Sequence, residues 1–386
     1  MIFTRRAFTG FAASTLALPF VRPAGAAEET VRIGHVCELS GAGATAGGNW
    51  RNGVEMGVAE VNAAGGILGR RIEMTTLDSQ SNPGVSRAMV QKALDADPYV
   101  MLGPIYSGSI KVNMALTRAA KIAQIMGGDA ADLTASGNPY VFRTNLGQAT
   151  SMPKLAAWVK SGLKAKRVAV LWVNNDFGKG GRDNFTRELK SRGIEVAADV
   201  PTEQGQVDFA ADVVKIGRAN ADAAFIYTNE DESARFLIEA RKQNLKLPLF
   251  GETTLIGQKV IDLAGPAADG IRGHVGLTAD APVAALQDYK NRYQAKYGEA
   301  PDHNGIKGYV AVAMVKGVTE KMGRFDRAAF AETLHGLTIT TAMEPRILMD
   351  TTWDKNGDMD RVSFMVEVAG GKQRVVETLP PLRAAG

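Results

Sequence analysis

Strand-like and helix-like segments alternate along this chain, and the alternation runs through twice. The first run opens with Val31–Cys37, whose short β-branched sequence is typical of a strand. A helical apolar stripe from Val54 to Val61 follows, and we expect the helix to stop at the glycines of 62–66. Later elements are predicted as strands at 71–77, 99–103 and 122–126 and helices at 84–95 and 108–121. Elements of this size in this order specify a parallel sheet with helices on both faces.

The second run begins near residue 150 and has the same form. Its central strand is expected at Arg167–Val173, because a fully apolar strand suits the middle of a parallel sheet. Two more helices are expected within 280–335, one of them Asn304–Met322. The other predicted elements are helices at 151–162, 178–192, 207–219 and 230–243 and strands at 194–200, 222–227 and 248–250. Two tandem α/β units predict a cleft between them, where small ligands commonly bind.

The charge balance gives no sign of a nucleic-acid partner. The whole chain carries 45 Lys and Arg against 41 Asp and Glu, a formal net charge of +4. Residues 1–26 contain three arginines and no acid, so the rest of the chain is close to neutral and has no basic run. An electrostatic surface for nucleic acid is therefore not expected.

The N-terminus has the composition of an export signal. Arg5 and Arg6 precede an apolar stretch at 11–21, which is too short, and too broken by Pro19, to span a membrane. Small residues follow, so residues 1–26 are predicted to be a signal peptide that is cleaved near Ala26. The paired arginines favour the twin-arginine route, which exports folded proteins, over the general secretory route. The mature protein is predicted to be periplasmic.

The sequence predicts no metal site and no cofactor. Cys37 is the only cysteine, and the four histidines lie far apart without a nearby carboxylate at metal-ligand spacing. The run Asp354–Asp360 resembles a calcium loop, but methionines occupy the positions that require Gly and Glu. We interpret it as a hairpin with its turn at Lys355–Asp358, between strands Thr351–Trp353 and Val362–Val368.

A glycine motif after the first strand keeps one enzymatic alternative open. Gly41, Gly43 and Ala46 match the Gly-x-Gly-x-x-Ala pattern of dinucleotide-binding folds. The acid that would bind the ribose, Asp78, lies 37 residues after Gly41, whereas the usual spacing is about 20. No nucleophile with a base, metalloprotease motif or phosphate loop occurs. We predict that the chain is not an enzyme, with an exported nicotinamide-dependent oxidoreductase as the alternative.

Polar residues at the carboxyl ends of the predicted strands are the candidate ligand contacts, because open α/β sheets bind ligands there. Ser107 and Ser109 begin a helix, where they either contact an anion or cap their own helix. Phe177 is a lid contact or ordinary packing, and Glu252 is an ammonium partner or a solvated acid.

Seven stretches of the sequence carry a family resemblance. They are Ile33–Gly41, Glu60–Glu73, Gly103–Ser109, Tyr140–Thr144, Asp176–Gly180, Asp208–Phe209 and Ala264–Gly270. Together they resemble the periplasmic solute-binding proteins of branched-chain amino acid ABC transporters, the leucine/isoleucine/valine-binding family. This resemblance implies a type I periplasmic-binding-protein fold, with two doubly wound parallel-sheet lobes joined by three hinge crossings. The first lobe would comprise 30–147 and 277–345, and the second 148–276 and 346–386.

The resemblance also implies roles for individual residues. Ser107 would bind a ligand carboxylate, and Gly127 and Gly128 would present backbone groups to the ligand. Phe177 would stand at the family's tyrosine lid. Glu252 or Thr253 would hold the ligand's ammonium group.

The chain departs from the family pattern at Asp129 and at Asn229–Glu230. Asp129 stands where a carboxylate-binding threonine is common, and a lone acid beside a ligand carboxylate would be repulsive. Asp129 therefore points away, pairs with a cation of the ligand, or signals a different ligand. Asn229 and Glu230 replace a tyrosine, and Trp50 is a candidate aromatic platform.

The predicted function is that of an extracytoplasmic receptor. Its lobes would close over a small polar solute, with an amino acid the first choice, and deliver it to an ABC permease. An aromatic carboxylate or an amide is the alternative ligand within the same fold, and a sensory role without transport stays open. The receptor is predicted to be a monomer.

Overall fold

The structure, a computed structural model, describes Met1 and residues 29–382 of the chain. Apart from Met1, the predicted signal peptide at 1–26 lies outside these residues. Within the described ranges, no helix is both long and apolar enough to cross a membrane. Two large β-sheets flanked by helices, and a small third sheet, make up the fold.

The first sheet is entirely parallel. Its elements in chain order are β1 (Thr30–Cys37), α1 (Ala44–Ala63), β2 (Arg71–Asp78), α2 (Pro83–Leu94), β3 (Val100–Leu102), α3 (Ser107–Ala120), β4 (Gln124–Met126), α4 (Asp132–Ala135) and β5 (Val141–Arg143). The strand order is β2-β1-β3-β4-β5, which confirms the parallel sheet predicted from the alternation. Strand β5 and helix α4 are missing from the prediction, because elements of three or four residues are too short to show a period.

The second sheet has a parallel core built by the second run of the alternation. Its elements are α5 (Gln148–Trp158), β6 (Arg167–Val173), α6 (Asp176–Ser191), β7 (Glu195–Thr202), α7 (Ala210–Gly217), β8 (Ala223–Tyr227), α8 (Glu230–Lys242), β9 (Leu249–Gly251), α9 (Thr253–Ile256), α10 (Gln258–Ala264) and β10 (Arg272–Val275). The core order is β10-β9-β8-β6-β7. The apolar strand β6 lies inside the sheet and is buried beyond its first residue, as predicted.

The remaining chain returns to the first sheet and then to the second. Its elements are α11 (Ala284–Tyr297), α12 (His303–Met322), α13 (Arg327–Leu334), β11 (Thr338–Ile339), β12 (Thr351–Trp353), β13 (Met359–Asp360), β14 (Ser363–Ala369) and β15 (Lys372–Leu379). Three helices form where two were predicted. The predicted hairpin turn is present, but its second strand is β13. The predicted strand at 362–368 instead forms β14, which pairs antiparallel with β10 and β15.

Helix α12 packs against α1 through glycines. A Cβ added at Gly53 would lie 1.9 Å from the backbone oxygen of Gly305, and one at Gly308 would lie 2.2 Å from that of Trp50. Both distances are far inside van der Waals contact, so any larger residue would push the helices apart. This close approach brings the N-terminal turns of α12 to the carboxyl edge of the first sheet.

The chain passes between the two large sheets three times: after β5, after β10 and between β13 and β14. Arg361 lies on the third crossing, and its Nη2 donates to the backbone oxygen of Gly276 on the second, at 3.3 Å. The same nitrogen lies 3.5 Å from Asn145 Oδ1 on the first crossing. One buried guanidinium group therefore contacts all three crossings, and the predicted three hinge crossings are confirmed.

The third crossing comes later in the chain than the predicted boundary at 345. Asp358 pairs with Arg143 of the first lobe at 3.0 Å, and Trp353 Nε1 donates to the Arg143 backbone oxygen at 2.8 Å. Strand β12 and the turn before β13 therefore contact the first lobe, although 346–386 was assigned to the second. No local sequence pattern predicts this arrangement, because the residues that contact buried Arg143 come from a distant part of the sequence.

Candidate functional site

A cleft lies between the two lobes at the carboxyl ends of their strands. It encloses a cavity of about 760 Å³, including the space that opens to solvent, and clefts between domains commonly bind small molecules. The first lobe lines it with Ala46, Ser81, Pro83, Ile105, Tyr106, Ser107, Gly108, Ser109, Asp129, His303, Asn304 and Lys307, and the second with Asn175, Asp176, Phe177, Gln204, Asn229, Glu230 and Thr254.

The start of helix α3 supplies polar groups to the first-lobe wall. Glu38, buried at the end of β1, accepts from the backbone nitrogens of Ile105 (3.1 Å) and Tyr106 (3.0 Å) and so fixes the turn before the helix. Burial raises the pKa of Glu38 to about 7. Ser107 begins the helix, and its Oγ accepts from Ala130 N at 3.3 Å.

Two side chains near the start of α3 have buried polar atoms without a protein partner. Ser109 Oγ and the Tyr106 hydroxyl are buried and have no hydrogen-bond partner within residues 29–382. Buried polar groups are normally paired. A ligand with polar atoms in the cleft would satisfy them.

Asp129 forms an ion pair with Lys307. The Lys307 Nζ lies 3.0 and 3.3 Å from the two Asp129 carboxylate oxygens and donates to the Gly127 backbone oxygen at 3.0 Å. The Lys307 side chain is 1% exposed and that of Asp129 is 18% exposed. Burial raises the pKa of Asp129, while the charge of Lys307 acts in the opposite direction. The three alternatives predicted for Asp129 did not include this arrangement, because its partner is a lysine of the protein and not a cation of the ligand.

Sequence reasoning missed Lys307. The signal was present, because Lys307 stands among glycines and apolar residues in the first turns of the buried helix α12. A lysine is almost never fully buried without a partner. The partner lies 178 residues away in sequence, so the pattern alone does not identify it.

Glu230 is the buried acid of the second-lobe wall. It is the first residue of α8, after Asn229 at the N-cap, and its Oε1 accepts from Asn304 Nδ2 at 2.9 Å. His303 Nε2 lies 3.6 Å from the same oxygen. Burial raises the pKa of Glu230 to about 7, with a further contribution from the charge of Asp302. Burial also lowers the pKa of His303 well below its usual range, so this imidazole is neutral.

An aromatic pair stands beside Glu230 on the second lobe. Phe177 lines the cleft and stacks on Tyr227, with ring centroids 4.3 Å apart. Gln148 Nε2 donates to the Phe177 backbone oxygen at 2.8 Å and lies 3.0 Å from the Tyr227 hydroxyl. Asn175 accepts from Gly178 N at 2.9 Å and so caps α6. Phe177 therefore offers a fixed apolar face to a ligand.

Glu252 and Thr253 do not line the cleft. Glu252 Oε1 lies 2.7 Å from His274 Nδ1, and its other oxygen accepts from Thr253 N at 2.6 Å. Burial acts to raise the pKa of Glu252, but the contacts with His274 and Thr253 together outweigh it, so the net shift of the pKa is downward. The next residue, Thr254, lines the cleft instead, and its Oγ1 is buried without a hydrogen-bond partner in the described part of the chain.

Gly127, Gly128 and Trp50 lie behind the first-lobe wall. A Cβ added at Gly127 would lie 3.1 Å from the Trp50 ring, and one added at Gly128 would lie 2.3 Å from Ile110 Cδ1. Close packing therefore accounts for both glycines. Trp50 is fully buried, and its indole nitrogen donates to His35 Nε2 at 2.9 Å. The structure places Trp50 in the core rather than as an aromatic platform in the cleft.

The two lobes touch around the cleft, so the structure is a closed form. Lys111 on α3 pairs with Asp176 on α6 at 2.8 Å. On another side, Thr45 Oγ1 donates to Asp231 Oδ1 at 2.9 Å. Lys259 on α10 also reaches Glu299, which precedes α12, at 2.5 Å.

The glycine motif near Gly41 does not present a ribose site. Asp78 accepts from Leu39 N at 2.9 Å and from the Ser40 hydroxyl at 2.7 Å, and so closes its own turn. Among the residues that the structure describes, no three His, Cys, Asp or Glu side chains form a group that could hold a metal ion.

Solved structures share this architecture. The branched-chain amino acid transporter substrate binding protein LivJ from Streptococcus pneumoniae, in complex with isoleucine, aligns over 92% of this chain and 100% of its own with a TM-score of 0.83 and 24% identity. A solute binding protein of an ABC transporter from R. palustris, in complex with benzoate, aligns over 92% and 98% with a TM-score of 0.84 and 22% identity. The predicted type I periplasmic-binding-protein fold is confirmed.

Sequence comparison gives the family. The leucine-, isoleucine-, valine-, threonine- and alanine-binding protein of Pseudomonas aeruginosa is 24% identical over 371 residues, 95% of this chain and 94% of the relative. The sequence profile of the family described as periplasmic binding protein matches residues 30–373. This result confirms a binding protein and contradicts the oxidoreductase alternative. The chain belongs to the periplasmic binding protein family.

Proposed function

We propose that this chain is an exported receptor that binds a small polar solute, first of all an amino acid, between its two lobes and delivers it to an ABC permease. The observation that carries the proposal is the cleft, which both lobes line with residues that have buried polar atoms without protein partners. Ser109 and Tyr106 supply such atoms from the first lobe, and Thr254 supplies one from the second. A ligand that contacts both walls stabilises the closed form, which alone presents both lobe surfaces together to a permease.

Within the cleft, an amino acid finds complementary groups. The positive end of helix α3, with Ser107 and Ser109, suits a carboxylate. Glu230 on the opposite wall suits a positively charged group, and Phe177 offers a surface for an apolar side chain. Relatives that bind leucine, isoleucine, valine, threonine and alanine support this ligand class.

The exported location belongs to the same proposal. Residues 1–26 have the charge and apolar pattern of a signal peptide, with cleavage near Ala26. The transporter names of the relatives support a periplasmic receptor with a permease partner. We propose a monomer whose lobes move as two bodies about the three crossings near Asn145, Gly276 and Arg361.

A thermal-shift screen of refolded, ligand-stripped mature protein tests the proposal. The compounds are the common amino acids, aromatic acids, small amides and NAD(P). A true ligand at 100 times its dissociation constant adds about 2.7 kcal/mol of stability, which is easily seen as a higher melting temperature. A hit among amino acids supports the proposal. A protein that none of these compounds stabilises contradicts it.

An aromatic carboxylate is the second candidate ligand. The Phe177–Tyr227 stack favours it, because an aromatic ring packs well on such a surface. The benzoate complex of the R. palustris neighbour supports it as well. A hit among benzoates alone in the same screen would replace the amino acid with this class.

A further inference from the structure

We propose that Glu230 couples lobe closure to a positively charged nitrogen in the ligand, and so excludes simple carboxylates. The inference rests on the proposed receptor function and concerns the same cleft. Glu230 belongs to the second lobe and its partner Asn304 to α12 of the first, so their 2.9 Å hydrogen bond exists only when the lobes are together. Closure therefore takes the Glu230 carboxylate out of water.

The groups around Glu230 balance its charge only in part. At the start of α12 it faces the N-cap Asp302, which is another acid, neutral His303, and Lys307, whose charge lowers the Glu230 pKa by less than burial raises it. The Lys307 ammonium group already pairs with Asp129 and donates to the Gly127 backbone oxygen.

The other elements near Glu230 bring no cation either. The Tyr106 hydroxyl belongs to the first-lobe wall and is neutral, because burial raises the pKa of this phenol well above its usual range. On the acid's own helix, Asp231 is bonded to Thr45 and Glu232 to the N-cap. Of the described residues that line the cleft, none offers Glu230 a cation of its own.

This arrangement makes closure of an empty cleft costly. A buried carboxylate that meets only an amide and a neutral imidazole must either stay charged in a poorly solvating site or take up a proton. A ligand with a protonated amine or amidine removes that cost, because it pairs with the carboxylate as the lobes meet. A benzoate-like anion adds a second negative charge instead, so it does not drive closure.

The first experiment uses no ligand. Small-angle scattering measures the radius of gyration of the stripped wild-type protein, Glu230→Gln and the control Glu239→Gln between pH 5.5 and 8.5. Glu239 lies on the same helix and is bonded to Lys242 and Gln243 away from the cleft, so its variant controls for loss of an acid.

The sign of the effect follows from protonation. A carboxyl group that is protonated more readily in the closed form takes up a proton on closing, so the empty wild-type protein opens as the pH rises through about 7. We expect the control to follow the wild type and Glu230→Gln to stay equally compact at every pH. A Glu230→Gln protein that keeps the wild-type pH response overturns the proposal, and so does a wild-type protein without any response.

The second experiment uses matched probes in calorimetry. L-leucine, 4-methylpentanoate and 3-methylbutylamine share one carbon skeleton, as do L-phenylalanine, 3-phenylpropanoate and phenethylamine, and benzoate completes the set. We expect wild-type binding only by compounds with an amino group, and a loss of about tenfold or more in Glu230→Gln. Tight binding of benzoate or of a deaminated acid overturns the ligand class. If no probe binds, the proposed amino acid function fails, and scattering alone decides the closure role.

Discussion

The two walls of the cleft each carry a buried acid, but they treat it differently. On the first-lobe wall, Lys307 neutralises Asp129 within the protein. On the second-lobe wall, Glu230 meets an amide and a neutral imidazole. An acid paired in this way contributes to structure and adds little net charge to the site, whereas an acid without a cation is available to a ligand. Residue type alone does not separate the two roles, but the surroundings do.

The largest expected effect comes from making the first wall resemble the second. Lys307→Met leaves Asp129 buried without its cation, and loss of one partner from a buried pair costs about 3–5 kcal/mol. Urea unfolding monitored by circular dichroism measures the change in the free energy of unfolding. Asp129→Asn in the same chain should recover a substantial part of the loss. A single variant as stable as the wild type would show that the pair contributes no stability.

Ser107 tests whether the first wall holds a ligand carboxylate. Ser107→Ala should weaken binding of the amino acid found in the screen by about 1.5–3 kcal/mol, the contribution of a hydrogen bond to a charged group. Calorimetry of wild type and variant gives the difference directly. Phe209→Leu, in the core of the second lobe, is the matched control for a small loss of packing. Unchanged affinity in Ser107→Ala would remove this residue from the site.

Glu252 tests the difference between two acids of the second lobe, because Glu252 lies outside the cleft and Glu230 lines it. Glu252→Gln weakens the buried contact with His274 Nδ1, so we expect a loss of about 1–3 kcal/mol in stability. Ligand affinity should stay within about twofold, because Glu252 does not line the cleft. For Glu230→Gln, measurements of stability and ligand affinity should give the opposite result, a large loss of affinity with little loss of stability. A large loss of affinity in Glu252→Gln would restore the role that the family resemblance implied for this acid.

The smallest effect is expected at the rim. Lys111 pairs with Asp176 across the lobes, but both side chains are nearly half exposed. Exposed pairs contribute about 0–1 kcal/mol, so Lys111→Met should change ligand affinity by less than about fivefold. Added salt should reduce whatever difference remains. A larger change would mean that the rim, and not the walls, controls closure.

The fold was largely predictable because its signals are local. Alternation of strand and helix requires only the period of apolar residues, and β1 and β6 lie where that pattern indicates. The short strand β5 and the partners of Arg143 were not predictable in this way, since they depend on contacts between distant segments.

The site was predictable only in part for the same reason. Ser107, Asp129, Phe177 and Glu230 line the cleft as the strand-end rule and the resemblance suggested. Lys307 was missed because it comes from a helix that returns after the whole second lobe. The remaining candidates were chosen from their positions in the family pattern, but they do not line the cleft. Packing and hydrogen bonds within the protein explain why these residues are present. They are Trp50, Gly127, Gly128, Glu252 and Thr253.

The glycine contact between α1 and α12 has a consequence for the order in which the protein matures on the ribosome. Helix α1 is made early, yet the surface that Gly53 presents stays uncovered until residues 303–322 have been synthesised. The parallel core of the second sheet is complete in sequence by residue 275, so it can form before the first lobe does. The ion pair of Asp129 with Lys307 can form only late in synthesis, after α12 has been made. A chain truncated before α12 would therefore hold the parallel core of the second sheet, still without β14 and β15, beside a first lobe that lacks α12 and the cleft residues His303, Asn304 and Lys307.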